Sequence, residues 1–386
     1  MRKKCAAPEW GPSAAQSKIH YNKDSTTQTI LQDSSSSGRI RPWAKKKTAT
    51  HILSMVCDRI GDDEGESRWY RIADRLDWCG ETLTFAENET TKEKKLVSAS
   101  FCKYRLCPMC SWRRSLKTFS NMMKIMDIAL NPVKLKNFET ATGSDHYTGK
   151  YSFLFVTLTV INCTNDTLSK TIDELFSGYQ KMMRSLRVKR SVKGWYRALE
   201  ITYNEEDDTF HPHLHCIWMV PNSYFKDKRL YISQTELTVI WKQSMGLAYG
   251  PIIDVRKIKT EDGTAKGLAK AVAEATKYTV KDGDFVDPND IEKSKYLTKV
   301  LDYALRGRRL VSFGGLLKKI RSYLQLEDEM DGDLVHVDGQ EEKDLSGWLV
   351  TCYAWNIGLR AYVLQGQKDY ATWKADRLQE RKCLAS

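Results

Sequence analysis

Residues 195–220 leave the chain few ways to fold. Two runs rich in aromatic and apolar residues, 195–203 and 213–220, flank the acidic stretch Asn204, Glu205, Glu206, Asp207 and Asp208, which is the pattern of a β-hairpin with a polar turn. Histidines recur at alternate positions at the start of the second strand, His211-Pro212-His213-Leu214-His215-Cys216-Ile217-Trp218. Successive side chains of a strand point to opposite faces, so His211, His213 and His215 share one face and Leu214 belongs to the other. Two imidazoles placed in this way can converge on one metal ion while Leu214 packs against helices. The first strand supplies Glu200 among Ala198, Leu199, Ile201 and Thr202. A carboxylate at a core-facing strand position is costly unless it is paired or bound to a cation. Glu200 is therefore the candidate third ligand beside His213 and His215, with His211 a further candidate for the same sphere. Two histidines and one carboxylate, with positions left for water and substrate, suit Mg2+, Mn2+ or another divalent ion acting as a Lewis acid. A structural zinc site, or solvated histidines on an edge strand, is the competing reading.

The neighbouring segments predict the setting of this hairpin. Residues 151–160 predict a buried strand, 168–186 a helix with Leu175, Tyr179, Met182, Met183 and Leu186 along one side, and 252–258 a short strand. Residues 233–245 predict a helix with Ser233 as N-cap and Glu236 completing a capping box, and 265–281 an Ala-rich helix. The order β, α, β, β, α, β, α predicts an α+β fold, an antiparallel central sheet with helices on one face. At 386 residues the chain has room for two or three domains. It divides into a disordered basic segment (1–50), a cysteine-rich, zinc-binding and DNA-binding module (51–130), the hairpin domain (131–290) and a mainly helical C-terminal region (291–386). The last is assigned to DNA binding or to formation of a homodimer, and the role of its strand-like run at 348–363 is left open. No apolar run approaches the roughly 18 residues of a membrane helix, and no apolar leader follows the basic N-terminus, so a cytoplasmic protein without a membrane partner is expected.

The cysteines and the charge point to the same module. Cys102, Cys107 and Cys110 stand in a C-x4-C-x2-C spacing with Cys79-Gly80 upstream, a pattern that wraps four thiolates around a structural Zn2+; Cys57 is the substitute for Cys79. A redox Cys-x-x-Cys is the rival, without the βαβ context it needs. Lys and Arg exceed Asp and Glu by 12, which calls for a polyanionic partner such as nucleic acid. Lys103, Arg105, Arg113, Arg114 and Lys117 interleave with Phe101, Tyr104 and Trp112, cations for phosphates and rings for unpaired bases. A second basic run comprises Arg184, Arg187, Lys189, Arg190 and Lys193.

These residues carry a resemblance. His213-Leu214-His215 resembles the HUH motif of the HUH endonucleases, whose fold is ferredoxin-like or RRM-like, and its setting resembles the rolling-circle replication initiators of small bacterial plasmids. Phe155-Val156-Thr157-Leu158-Thr159-Val160 is similar to that family's first motif. Glu274-Ala275-Thr276-Lys277-Tyr278-Thr279-Val280-Lys281 resembles its third motif in the subgroup with one catalytic tyrosine and a glutamate partner. The cysteine passage is similar to the N-terminal part of the same subgroup, so the resemblance covers about residues 55–285.

On a helix, Glu274, Tyr278 and Lys281 lie at i, i+4 and i+7, on one face. The resemblance implies that Tyr278 nicks single-stranded DNA beside an origin hairpin, storing the 5′ end as a phosphotyrosine and leaving a 3′-OH primer. Lys277 contacts DNA, Lys281 steadies the developing charge, and Glu274 activates the water that ends the cycle. Tyr296 and Tyr303 compete as nucleophiles but lack the Glu-Tyr-Lys arrangement. No phosphate-binding G-x-x-x-x-G-K-[ST] loop is present, so a separate helicase is expected to unwind the duplex; the resemblance implies that it is a host enzyme, with a host DNA polymerase and single-strand-binding protein. A mobilisation relaxase, a single-strand transposase and a non-catalytic zinc-dependent DNA-binding regulator are the alternatives.

Overall fold

The computed structural model describes residues 29–35, 38–143, 150–258, 268–277, 279–328, 330–337 and 345–385. In chain order, α1 (Trp43–Glu64) and α2 (Ser67–Asp77) lead to β1 (Thr82–Glu87) and β2 (Lys94–Ala99), followed by α3 (Pro108–Leu130) and α4 (Pro132–Thr142). The histidine region comprises β3 (Tyr151–Thr159), α5 (Asn165–Arg184), α6 (Leu186–Ser191), β4 (Gly194–Asn204), β5 (Thr209–Pro221), α7 (Gln234–Met245) and β6 (Ile253–Lys257). Then come α8 (Ala269–Ala275), α9 (Asp282–Phe285), α10 (Ile291–Leu305), β7 (Val311–Gly314), α11 (Gly315–Tyr323), β8 (Leu349–Asn356), β9 (Ala361–Asp369) and α12 (Tyr370–Ala385). Two compact units result, one of residues 110–333 with 337–339, the other of residues 1–109 with 334–336 and 340–386.

The larger unit is built on a five-stranded antiparallel sheet in the order β6-β3-β5-β4-β7. The predicted hairpin is its centre, with Ala198 opposite His215, Glu200 opposite His213 and Thr202 opposite His211. Asp208 closes the turn in the left-handed region at φ 47°. On one face, Leu168, Ile172, Leu175, Tyr179 and Met182 form the buried stripe of α5. The Tyr179 hydroxyl accepts a hydrogen bond from the Trp218 indole at 3.2 Å, and its ring stands edge-on to Trp195. The antiparallel α+β class holds, but helices cover both faces. On the histidine side Tyr196, Ile217 and Met219 join a core with Met122 and Met126 of α3, Phe138 of α4, Val272 of α8 and Leu316 of α11. That core fills only the Tyr196 end of the sheet, so the face passes from packed rings to histidines within two rungs.

Three sequence expectations change. The capping box of α7 is half formed: the Ser233 hydroxyl accepts from the Glu236 amide at 3.1 Å, while the Glu236 carboxylate takes Arg187 at 2.6 Å instead. The helix expected to reach Lys281 ends at Ala275. Beyond the last rung of β7 the edge of β4 still offers the Ile201 amide, and that amide donates to the Thr279 carbonyl at 2.8 Å, drawing the chain out of the helix and alongside the strand. The segment read as disordered is partly structured: Ile30 bridges Val363, and α1 starts at Trp43. The Trp43 indole donates to Asp33 at 2.7 Å, and its ring meets Phe85 edge-on. Residues 1–28 of that segment lie outside the described residues.

The smaller unit carries a second antiparallel sheet, β2-β1-β8-β9. The run at 348–363 therefore has a definite place: it becomes the β8–β9 hairpin, and β8 pairs along all of β1. The two units interleave along the chain where the sequence reading divided it linearly. Among the described residues, no helix is long and apolar enough to cross a membrane.

Candidate metal and catalytic site

Alternation and register together place Glu200, His213 and His215 on one face of adjacent strands, with one ligand atom from each lying within 4.8 Å of the others. Both imidazoles aim Nε2 at the same carboxylate oxygen, His215 at 2.7 Å and His213 at 3.5 Å from Glu200 Oε2. Each ring is held from behind. His213 Nδ1 lies 3.1 Å from the His211 carbonyl, which can only accept, so Nδ1 carries a hydrogen and Nε2 is the atom turned to the carboxylate. His215 Nδ1 lies 3.2 Å from Thr157 Oγ1 on β3. Two imidazole nitrogens and a carboxylate oxygen facing one another need protons or a cation between them, and two imidazoles with one carboxylate form a donor set that accepts a divalent ion. Burial by itself pushes the Glu200 carboxyl up, but hydrogen bonds from His213 and His215, with their charge, outweigh it and hold the group well below the ordinary carboxylate range. His211, proposed for the same sphere, is not in the group: it offers its carbonyl, and its ring lies 5.1 Å from that of His213.

The chain that follows α8 comes up to this triad. Tyr196 donates its hydroxyl to the Ala275 carbonyl at 3.3 Å, Thr279 docks on Ile201, and Lys281 reaches to 3.9 Å from Glu200 Oε1. Tyr278 lies outside the described residues, although its neighbours Lys277 and Thr279 do not. Glu274 is exposed and ion-paired with Lys277, and because α8 ends at Ala275, Glu274 and Lys281 do not share a helical face as expected. Of the competing tyrosines, Tyr296 donates to Asp208 at 3.3 Å, and burial and that carboxylate raise its pKa, the wrong direction for a nucleophile. Tyr303 is exposed on α10.

The sulfurs of Cys79, Cys102, Cys107 and Cys110 also gather within 4.8 Å of one another, close to the roughly 3.8 Å edge of a tetrahedron with about 2.3 Å metal–sulfur bonds. Cys57 is buried in α1 and takes no part. The Cys102 amide donates to Cys79 Sγ at 3.4 Å, and Thr50 Oγ1 lies 3.7 Å from Cys107 Sγ. Lys47, almost fully buried, donates to the Cys79 carbonyl at 3.1 Å and pairs with Glu81 at 3.0 Å. Either group, the four cysteines or the triad, could hold a metal ion.

Comparison with known proteins settles the family. A family model described as "Replication protein" matches residues 93–363. The chain is 36% identical over 349 residues to a protein named "Protein rep" of Bacillus amyloliquefaciens, covering 87% of this chain and 98% of that protein. It is 32% identical over 339 residues to a "Protein rep" of Streptococcus pneumoniae serotype 2, covering 88% and 96%. The chain belongs to the replication protein family. No solved structure matches it.

The match bears out the resemblance to plasmid replication initiators, and the structure revises parts of the surface expected of one. In this replication protein Arg113 and Arg114 are buried in α3. Arg114 donates to the Met330 carbonyl at 3.3 Å, and Lys117 meets Glu327 and the Asp333 carbonyl. Arg114 and Lys117 thus tie Glu327, Met330 and Asp333 to α3, and the three cations do not form an exposed row. Lys103 stays exposed on a left-handed turn at φ 56°, and Arg105 is half-buried. Sequence reasoning also missed Thr157 as the partner of His215; its place opposite His215 follows only from strand register. The buried stripe Lys46, Lys47, Thr50 and Ser54 of α1 was hidden by its polarity.

Proposed function

We propose that this replication protein starts rolling-circle replication of its plasmid by nicking single-stranded origin DNA through Tyr278, with Glu200, His213 and His215 holding a divalent cation of the Mg2+ or Mn2+ class. The observation that carries this reading is the convergence of the triad on one oxygen, with Thr279 and Lys281 running beside it. When bound, the cation would polarise the scissile phosphate. A phenol with an ordinary pKa near 10 needs cationic help to attack at neutral pH, and Lys277 and Lys281 flank Tyr278 in sequence to give it. The phenolic oxygen bonds to phosphorus, the P–O3′ bond breaks, and the departing oxygen takes up a proton to become the 3′-OH primer. At termination the Glu274 carboxylate, exchanging its pairing with Lys277, accepts the proton of a water whose oxygen bonds to phosphorus in the second cleavage, as the P–O3′ bond breaks and the departing oxygen takes up a proton to leave a 3′-OH. The four-sulfur group suits a structural Zn2+.

The test is incubation with a panel of candidate origin hairpins bearing single-stranded nick sites, with Mg2+ or Mn2+, and mass spectrometry of peptide–DNA adducts. The expected result is a metal-dependent adduct on the peptide containing Tyr278. Binding without nicking on every substrate would leave a non-catalytic regulator.

The orientation of His215 gives a second check. Thr157→Val removes the hydroxyl behind His215 Nδ1 and is expected to weaken Mn2+ binding about ten-fold or more. Thr157→Ser is expected to keep the affinity, read by the electron paramagnetic resonance of bound Mn2+. Equal affinity for Mn2+ in the Val variant and the parent would show that the hydroxyl does not orient the ring.

A further inference from the structure

The far end of β5 carries a feature that the nicking chemistry leaves unused. From Pro221 the chain enters a short 3-10 turn, Asn222–Phe225, and continues to Ile232 as a braced loop. Tyr224 is buried, and its hydroxyl accepts from the Ile232 amide and donates to the Ile232 carbonyl at 3.2 and 3.1 Å. Arg187 donates to the Arg229 carbonyl at 2.7 Å, and Ser191 to the Leu230 carbonyl at 2.5 Å. With the loop fixed in this way, two large rings project from it. Phe225 is 42% exposed and Tyr231 44% exposed, their centroids 6.3 Å apart, and Lys257 sits 4.9 Å over the Phe225 ring.

The charge around these rings has one sign in excess. Asp227 is engaged by Arg229 at 3.0 Å, and Glu236 by Arg187 at 2.6 Å. Lys226 and Lys228 of the loop itself are exposed, as are Lys189 and Arg190 of α6, whose Arg187 and Ser191 hold the loop. Rings on a rigid loop offer stacking faces, and the surrounding cations select a polyanion. Only an unpaired strand presents base faces to such rings, because a duplex hides them in its stack.

We infer that Phe225 and Tyr231 form a docking platform for single-stranded DNA, separate from the metal triad. β5 ends at Pro221, six residues or about 20 Å from His215 at the usual strand rise, and the loop that carries the two rings starts there. Lys257, which covers the Phe225 ring, leaves β6 on the face of Leu154 and Trp218, opposite to the histidines, so the platform and the triad are distinct surfaces. The inference rests on the replication reading for its ligand class alone and needs no nicking.

The experiment uses the full chain without added divalent cation and follows fluorescence anisotropy of a labelled mixed-sequence oligonucleotide, single-stranded or annealed. The double substitution Phe225→Leu with Tyr231→Leu keeps apolar bulk and removes both aromatic faces. It is expected to weaken single-strand binding about ten-fold or more while duplex binding changes less than about two-fold. Phe225→Tyr is expected to retain parental affinity. Should the double variant misfold, photo-crosslinking of the parent protein to a 4-thiothymidine strand decides the matter, with the adduct expected on residues 222–232. Unchanged single-strand affinity, equal loss for duplex, or crosslinks confined to other peptides overturns the platform. Polyglutamate that competes as well as DNA of matched charge also overturns it, and assigns the surface to an acidic protein. A chain that nicks but fails these tests keeps the replication reading and loses the platform; one that passes them but forms no adduct does the reverse.

Discussion

Tyr278→Phe is expected to lower nicking and covalent capture of single-stranded origin DNA by at least about a thousand-fold, with binding of the same oligonucleotide changed less than about two-fold. The size follows from the chemistry. Phenylalanine keeps the ring and removes the only atom that can bond to phosphorus, so no part of the step survives in weakened form. The surroundings should be spared, because the backbone there is anchored by neighbours: the Ile201 amide on the Thr279 carbonyl and the Tyr196 hydroxyl on the Ala275 carbonyl. The readout is a gel-resolved protein–DNA adduct, with Tyr296→Phe as the comparison. That substitution is expected to leave adduct yield within about two-fold, since the Tyr296 hydroxyl is committed to Asp208. Full adduct formation by Tyr278→Phe, or its loss in Tyr296→Phe alone, would reassign the nucleophile.

The second large effect concerns the four sulfurs. Stripping their ion with a strong chelator is expected to abolish the cooperative thermal transition of the N-terminal unit, and Cys107→Ser to do the same without chelator. A structural zinc site of this kind contributes about 10–16 kcal/mol of apparent binding free energy at neutral pH, as much as the whole folding stability of a typical domain, about 5–15 kcal/mol. Cys57→Ala is the matched control. It lies fully buried in α1 but outside the sulfur group, so it should cost only what a small cavity costs, about 1 kcal/mol, and keep the metal. Differential scanning calorimetry with elemental analysis reads both. A melting profile unmoved by complete metal removal would show that the cysteines are buried thiols and no more.

The sequence disclosed those features that local geometry decides. Alternation in a strand has period two, so the histidine pattern placed His213 and His215 on one face, and the short acidic turn fixed the register that brings Glu200 opposite His213. Cysteine spacing worked for a similar reason, because chelation constrains short stretches of chain. What it hid was decided at a distance. The end of α8 depends on an Ile201 amide some eighty residues earlier, which no propensity near Ala275 encodes. Arg113 and Arg114 read as phosphate-binding cations because what buries them cannot be seen locally, Arg114 being held by Met330 from far along the chain. The start of α1 read as disorder because its buried stripe holds Lys46, Lys47 and Thr50 where apolar residues are expected.

The pairing of β1 with β8 has a temporal side. About 260 residues separate the two strands, and at ribosomal rates of roughly 5–20 residues per second the first waits on the order of ten to fifty seconds for the second. During that interval the β1–β2 hairpin has an edge with nothing to pair, the kind of template that invites aggregation. A message broken before the codons of β8 therefore yields no finished N-terminal unit. Only ribosomes that read through the β8 codons release a chain able to complete that sheet.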